Sequence, residues 1–382
     1  MGLYENQTAD VILERMLARV PVKYDRRVGS IIFTSNAPTA EELQLVYEAF
    51  DYILDQMLPD TAGREFLIRH CASRKIIPKS ASAVAVLGRF APFDVAINVG
   101  ARFNCGQYWY KVVDSLPGGI KAPESDGAYC YRYLVCETIG DEPNGTISGT
   151  LIPGETIEGL ESAAIERLAI EGEDEESTEA LRQRYYDSFS AEAFGGNRAD
   201  YKQAILNMQG VGAVKIYSAH NGGSTSLVVV KGISDSYAPS EDLVQVIQMA
   251  TDPRVIDPGE ETWGKGYGFA PVGHHVTVIG VNGDAIAVKA KLVIASGHDY
   301  SDVEDNIQSM LQGYYAELNR MWASSNGIVV KGAEISSRLL DIALVEDVIG
   351  SPLLICGEKQ GQNITVDANS IAVYGSFENI AD

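Results

Sequence analysis

The chain has 382 residues, 46% hydrophobic and 21% charged, with a formal charge of -22 at pH 7. That is globular composition with apolar material for more than one core, and at about 100–200 residues per domain it predicts two to four domains. So negative a surface repels phosphate backbones and anionic headgroups, which argues against nucleic acid or membrane as direct partners and points to a protein, a cation or a small molecule.

No apolar run approaches the roughly 20 residues that span a bilayer. Met1 to Asp10 lacks the basic start and apolar stretch of a leader, so a soluble chain made in the cytoplasm is expected. The five cysteines, Cys71, Cys105, Cys130, Cys136 and Cys356, are odd in number in a chain too long to need stapling, which predicts reduced thiols. Cys130 and Cys136 fall in one strand-like run, and six residues of strand hold them roughly 20 Å apart on one face, too far to bridge or to share a metal.

In chain order, Thr8 to Val20 carries Val11, Ile12, Met16 and Leu17 on one helical face. Thr39-Ala40-Glu41-Glu42 has the form of a capping box and predicts a helix start there. From it Leu43, Val46, Phe50, Ile53 and Met57 recur at alternating three and four spacing, a seam suited to another helix of this chain or of another subunit. Between about Ser80 and Ile157 short apolar runs alternate with Pro, Gly and Asn clusters, the texture of a β domain.

Glu171, Glu173, Asp174, Glu175 and Glu176 form an acidic run that reads as a solvated helix start, with cation or partner docking as the other reading. The helix after it places Leu181, Tyr185 and Phe189 on one face. Gly195-Gly196-Asn197 breaks that helix, and Asn197 is placed to cap the next one, with Tyr201, Ile205 and Met208 inward. Strands at Val214 to Tyr217 and Leu227 to Val230 and a helix from Ser240 to Ala250 make a compact α+β unit. A Pro- and Gly-rich loop from Pro253 to Gly273 leads to strands at Val276 to Val281 and Ala285 to Ala295. Helices over Ser301 to Trp322 and Ala333 to Leu344 and short strands to Tyr374 complete a second such unit. The predicted fold class is multidomain α+β: a helical segment at 1–78, a β-rich domain at 79–160, a central α+β domain at 161–265 and a C-terminal α+β domain at 266–382.

Fragments with the look of chemistry fail on context. Gly264-Lys265-Gly266-Tyr267-Gly268 is glycine-rich, but a phosphate loop follows a strand and opens a helix, whereas here a strand follows. His274 and His275 are adjacent at a strand start and point to opposite faces, which suits packing and not joint metal ligation. Ser296-Gly297-His298-Asp299 holds the letters of a triad without the elbow that presents a nucleophile, and reads as a turn. No two of the 52 carboxylates stand out as an acid and base pair. No catalytic, cofactor-binding or metal-ligating residue is assigned and no cofactor is expected. A tail-associated peptidoglycan hydrolase is the enzymatic rival, and a carbohydrate- or receptor-binding module a further one.

Several stretches in order carry a resemblance. Ile12 to Pro21, Arg27 to Ile32 and Leu54-Asp55-Gln56 are followed by Ile157 to Ser162, Asp174 to Ser177, Leu181 to Tyr185 and Phe194 to Tyr201. Gly210 to Val214 and Gly266 to Val278 complete the series. Together they resemble the baseplate J-like family of contractile phage tails and phage-tail-like bacteriocins, over nearly the whole chain. Glu171-Gly172-Glu173 departs from the series, standing where a longer glycine or threonine linker is expected.

The resemblance implies a non-enzymatic wedge subunit, assembled in the bacterial cytoplasm and resident in the tail baseplate. Its implied partners are a second copy of itself, a smaller wedge subunit similar to tail protein I, a lysozyme-like-fold subunit that attaches wedge to sheath, and central hub proteins. Six such wedges would ring the hub. With that family in view, Leu43, Val46, Phe50, Ile53 and Met57 become a candidate inter-subunit seam. Gly195, Gly196, Gly266 and Gly268 become candidate hinges for the rearrangement that releases the sheath.

Overall fold

The computed structural model describes residues 2–145, 148–190, 196–218, 225–256 and 260–380. The chain divides into two compact units, Met1–Lys79 with Glu176–Ala191, and Ser80–Glu175 with Glu192–Asp382.

The smaller unit is helical. Thr8 accepts a bond from the Val11 amide and starts α1 (Ala9–Ala18). Ser30 does the same for the Phe33 amide and starts α2 (Ile31–Met57), about two turns before the capping-box letters at Thr39. Pro38 sits inside α2 and supplies no amide to its ladder, so the box forms no helix start; the true cap lies upstream. Ile12 and Leu13 of α1 bury against Ala40, whose small side chain permits the close approach, with Met16, Leu17, Phe33, Ala37 and Tyr47 around them. Beyond α2, α3 (Arg64–Ser73) and α4 (Thr178–Ser190) enclose a second cluster of Ala62, Leu67, Cys71, Ile76 and Leu181. The helix that sequence spacing places in the central domain thus shares its core with the N-terminal helices. Arg182 fastens it by donating to the Pro59 and Ala62 carbonyls, each at 2.7 Å.

The larger unit begins with β1 (Ala83–Ala91), β2 (Arg102–Cys105), β3 (Tyr108–Val113), β4 (Cys130–Ile139), β5 (Gly149–Thr150), β6 (Ile152–Pro153) and β7 (Ser162–Ile170). They form one sheet in the order β5-β7-β1-β4-β3-β2-β6. Its two edge strands come from a single five-residue stretch around Leu151, which therefore bridges both edges and curls the sheet into a near-barrel. Strand alternation sends Val84, Val86 and Phe90 inward with Phe103, Tyr110, Leu134 and Leu151. Cys130 and Cys136 point into this same interior, and all five cysteines are free thiols. Ala85, Leu87 and Tyr133 face outward onto the next layer.

That layer holds α5 (Arg198–Leu206), β8 (Val211–Ser218), β9 (Thr225–Gly232), α6 (Glu241–Thr251) and β10 (His275–Gly280). The sheet runs β10-β9-β8, with β10 parallel and β8 antiparallel to β9. Asn197 caps α5 by accepting from the Asp200 amide at 2.8 Å. β9 is buried on both faces, Val228 and Val230 in the core shared with the near-barrel and Leu227 and Val229 in the core beyond. This is why it reads as an unbroken apolar run. The parallel pairing of β10 draws the stretch after residue 266, which the sequence boundaries give to the C-terminal domain, into the central sheet.

The last layer comprises β11 (Asn282–Ile294), α7 (Glu304–Arg320), β12 (Ile328–Lys331), α8 (Gly332–Leu340), β13 (Val345–Cys356), β14 (Lys359–Gly361), β15 (Asn363–Val366) and β16 (Ser370–Asn379). A sheet ordered β14-β13-β11-β16 and a β12-β15 pair pack under α7 and α8, with Ile286, Val288, Leu311, Tyr315 and Trp322 in the core. Fully buried Asn319 exchanges two bonds with the Ala372 backbone and donates a third to the Asp235 carbonyl, tying α7 to β16 and to the central layer. The architecture is multidomain α+β, with N-terminal helices, a β-rich domain and smaller mixed domains downstream.

Candidate functional site: an exposed seam and a braced loop

α2 is 27 residues long and has its faces assigned by its neighbours. Phe33, Ala37, Ala40 and Tyr47 meet α1, Gln44 accepts from the Ala9 amide, and Asp51 accepts from the Tyr4 amide. At 100° per residue these positions define one stripe, and Leu43, Val46, Phe50, Ile53 and Met57 define another about 120° round the helix. The second stripe is open. Exposure rises along it from 37% at Leu43 through 47% at Phe50 to 62% at Met57. Phe50 meets the rings of Tyr4 and Tyr47 at 6.1 and 6.3 Å. Scattered exposed apolar residues are ordinary, but a contiguous helical stripe of them suits an interface.

The four candidate hinge glycines divide. Gly195 lies outside the described residues. Gly196 has φ of +87°, and a Cβ there would come within 2.5 Å of Pro271. Gly266 has φ of +76°, with Val272 Cγ2 2.7 Å from the position a Cβ would take. Gly268 faces backbone, the Thr251 carbonyl oxygen standing 2.2 Å from its ideal Cβ. Glycine is required at these positions by close approach, and any rotation there must first break the bracing around it.

Asp252 supplies that bracing. Fully buried at the end of α6, its carboxylate accepts from the Gly264 and Val276 amides, each at 2.9 Å. The Phe269 and Ala270 amides donate to the carbonyls of Ala250 and Thr251. Along the outer edge of β10, Gln248 bonds both the Val276 carbonyl and the Val278 amide, and the Trp263 indole donates to the Val276 carbonyl. Side chains thus satisfy edge groups that a further strand would otherwise claim.

Two of the enzyme-like fragments are structural elements. The imidazole of His274 meets the Tyr201 hydroxyl at 3.3 Å, whereas His275 stands edge-on to Trp263 at 4.7 Å, so the pair diverges. Asp299 caps the turn at Tyr300–Asp302 through the Ser301 amide, and His298 pairs with Asp302 at 3.1 Å. Among the described residues no group of three His, Cys, Asp or Glu side chains could hold a metal, and no helix is long and apolar enough to cross a membrane. One cavity of about 630 Å³ is lined by Trp109, Arg102, Asn98 and Glu155, with Arg102 over the indole at 4.9 Å and Gly154 beside the ring.

The acidic run is more than a solvated helix start: Asp174 and Glu175 are exposed, but most of its carboxylates are engaged within the fold. Glu171 is buried and accepts from the Ser234 amide, Glu173 accepts from the Gly210 amide at 2.6 Å, and Asp174 accepts from the Asp141 amide. Glu176 pairs with Arg184 at 2.7 Å and accepts from the Lys79 amide. Four carboxylates are latched to amides distant in sequence, which leave no signature beside the run itself. Elsewhere, Tyr133 of β4 and Arg167 of β7 converge on Asp242 in the first turn of α6. The hydroxyl donates at 2.7 Å and the guanidinium at 2.9 and 3.1 Å. Burial, then that bond, pushes the Tyr133 phenol far above its usual range. Sequence spacing gave no hint of this clamp between the near-barrel and the central layer.

Residues 193–280 match the family described as the baseplate J-like central domain. The chain is 31% identical over 83% of its length to the phage-like element PBSX protein XkdT of Bacillus subtilis, covering 84% of that protein. It is 32% identical over 80% of its length to the uncharacterized protein YqbT of the same organism, covering 81% of it. A weaker likeness, 27% identity over 46% of the chain and 48% of the relative, joins it to the Mu-like prophage FluMu protein gp47 of Haemophilus influenzae. Among solved structures, a chain of the anti-feeding prophage baseplate aligns over 95% of this chain and 90% of its own, at 12% identity and a TM-score of 0.38.

Proposed function

Because the chain belongs to the baseplate J-like family of contractile-tail wedge proteins, we propose that it builds its part of the baseplate by pairing with a second copy of itself through the α2 seam. The observation that carries this reading is the open stripe of Leu43, Val46, Phe50, Ile53 and Met57 on a helix whose α1-facing stripe is already filled. These five side chains are 37–62% exposed, so covering them yields about half of the roughly 1.5–3 kcal/mol of a full burial each, on the order of 5 kcal/mol per copy and 10 kcal/mol for the pair. Association costs about 4–15 kcal/mol, so two seams alone give a marginal pair. A third helical partner that covers the remaining apolar area stabilises it, and the smaller wedge subunit similar to tail protein I is proposed for that place.

Six of these wedges would surround the hub proteins, with the lysozyme-like-fold subunit joining wedge to sheath and assembly taking place in the cytoplasm. The chain's role is mechanical and involves no bond chemistry. On host contact, modules rotate as rigid bodies and the ring widens to release the sheath. If the hinges lie at Gly196, Gly266 and Gly268, rotation requires the loop to part from Asp252. Superposing each module between baseplates before and after contraction tests this, and modules that keep one mutual orientation in both states would sink it.

The seam is tested by co-expressing the chain with its neighbouring tail proteins and measuring complex mass. Phe50→Asp and Ile53→Asp are each expected to leave the chain helical by circular dichroism and absent from the wedge complex. Ile53 is 51% exposed, so its substitution leaves the fold intact even if the Phe50 change disturbs Tyr4 and Tyr47. Wedge complexes of unchanged mass and yield with both variants would overturn the proposal.

A further inference from the structure

In a chain with 52 Asp and Glu residues, one concavity has none among the described residues that line it. It lies in the larger unit between α5, β8 and the turn after α7, has a volume of about 370 Å³, and is lined by Arg198, Lys202, Lys215, Tyr217, Ser324 and Asn326 among others. Its size falls within the span of ligand sites, about 300–1,000 Å³. Arg198 and Lys202 are exposed and four residues apart on α5, which sets them one above the other on a single helix face at its positive end.

The state of these cations sets the pocket apart. Elsewhere Arg338 is held by Glu317 and Glu334, and Lys231 and Arg320 share Asp235. Among the described residues Arg198 meets the Ser218 hydroxyl alone, at 3.1 Å, and Lys202 has no ion pair. Lys215 lies over the Trp322 ring at 4.3 Å and donates to the Ala368 carbonyl, a neutral partner. Burial lowers its pKa, so its charge is held at a cost that an incoming anion would offset.

We propose that this pocket docks a carboxylate-bearing segment of a neighbouring protein in the particle, with Arg198 and Lys202 pairing to its acidic side chains and Lys215 supplying charge from beneath. Acidic surfaces repel a chain at -22, and a local reversal of sign lets an acidic segment of a neighbouring protein approach it. The pocket supplies that reversal. Half-buried Ile216 in its lining adds apolar area that favours a peptide over a free ion. The source of the segment rests on the assembly reading, while the chemistry of the pocket does not.

The test uses the full chain and a fluorescein-labelled hexaglutamate peptide followed by anisotropy, with hexaglutamine as the neutral control and inorganic phosphate as competitor. The wild type is expected to bind hexaglutamate and not hexaglutamine. The double change Arg198→Glu with Lys202→Glu, on two exposed positions, is expected to weaken binding at least tenfold without altering the circular dichroism spectrum. Lys121→Glu with Lys111→Glu, remote from the pocket, is expected to change it less than threefold. No binding by the wild type, equal loss in both double variants, or full displacement by phosphate at a concentration equal to that of the peptide would overturn the proposal. Because the peptide reports on the pocket alone, a failed seam with a binding pocket, or the converse, is told apart directly.

Discussion

Removal of Asp242 should cost more than removal of either side chain that reaches it, and a second deletion should repair part of the damage. Asp242 is 2% exposed and Tyr133 1%, whereas the Arg167 side chain is 41% exposed. Tyr133→Phe deletes one hydroxyl-to-carboxylate bond, about 1.5–3 kcal/mol. Asp242→Ala deletes that bond, removes an acid from the first turn of α6 and strands the Tyr133 hydroxyl without its acceptor, for a total of about 3–5 kcal/mol. Arg167→Ala should cost under about 1 kcal/mol, since a half-exposed guanidinium recovers its water. The pair Tyr133→Phe with Asp242→Ala should then be milder than Asp242→Ala alone by about 1–3 kcal/mol, because no orphaned hydroxyl is left. All three tryptophans, Trp109, Trp263 and Trp322, lie in the larger unit, so fluorescence during urea unfolding reads that unit without the helical one. Additive single and double effects would show that the hydroxyl finds another partner, and the clamp as described would be wrong.

Gly268→Ala should destabilise the larger unit by at least about 2 kcal/mol, the scale of core overpacking. Gly273→Ala, at φ of +85° with open space, should pay only the left-handed backbone cost of about 1–2 kcal/mol. Urea unfolding that ranks them the other way would refute the close approach to Thr251. Glu176→Gln keeps the shape and removes the charge shared with Arg184 and the Lys79 amide, so the helical unit should lose about 1–3 kcal/mol, read as faster amide exchange in α3 and α4; unchanged exchange would count against the latch. Alkaline titration should unfold the larger unit. Burial raises the Tyr201 phenol from its ordinary 10.0 to about 12, so its contribution is fully present below pH 10 and is lost as pH climbs towards 12. Absorbance at 295 nm should show a late tyrosinate step that coincides with loss of the fluorescence signal, and a late step without unfolding would contradict it.

Elements with strong periodicity and honest caps were legible: Asn197 announced α5, Ser240 announced α6, and the heptad spacing of α2 announced an apolar stripe, though not that this chain leaves it uncovered. The start of α2 was not, because Thr39 and Glu42 imitate a capping box while Ser30 carries the cap in a stretch of weak pattern. Near-barrel closure left no trace, since two-residue strands such as β5 and β6 are too short for any alternation to register. The acidic run misled for a different reason. A cluster of charges is generically solvated, and only folding brings Gly210, Asp141 and Lys79 amides to meet it.

The side chains along the outer edge of β10 bear on what the proposed assembly of many copies demands of a sheet. Subunits that gather at high local concentration offer one another every unpaired strand they possess, and runaway sheet growth is the hazard of any such crowd. With Gln248, Asp252 and Trp263 already occupying it, the β10 edge of the central sheet is closed to a further strand. If copies gather as proposed, this edge leaves their encounters to side-chain surfaces, where contacts are limited in extent and able to be undone.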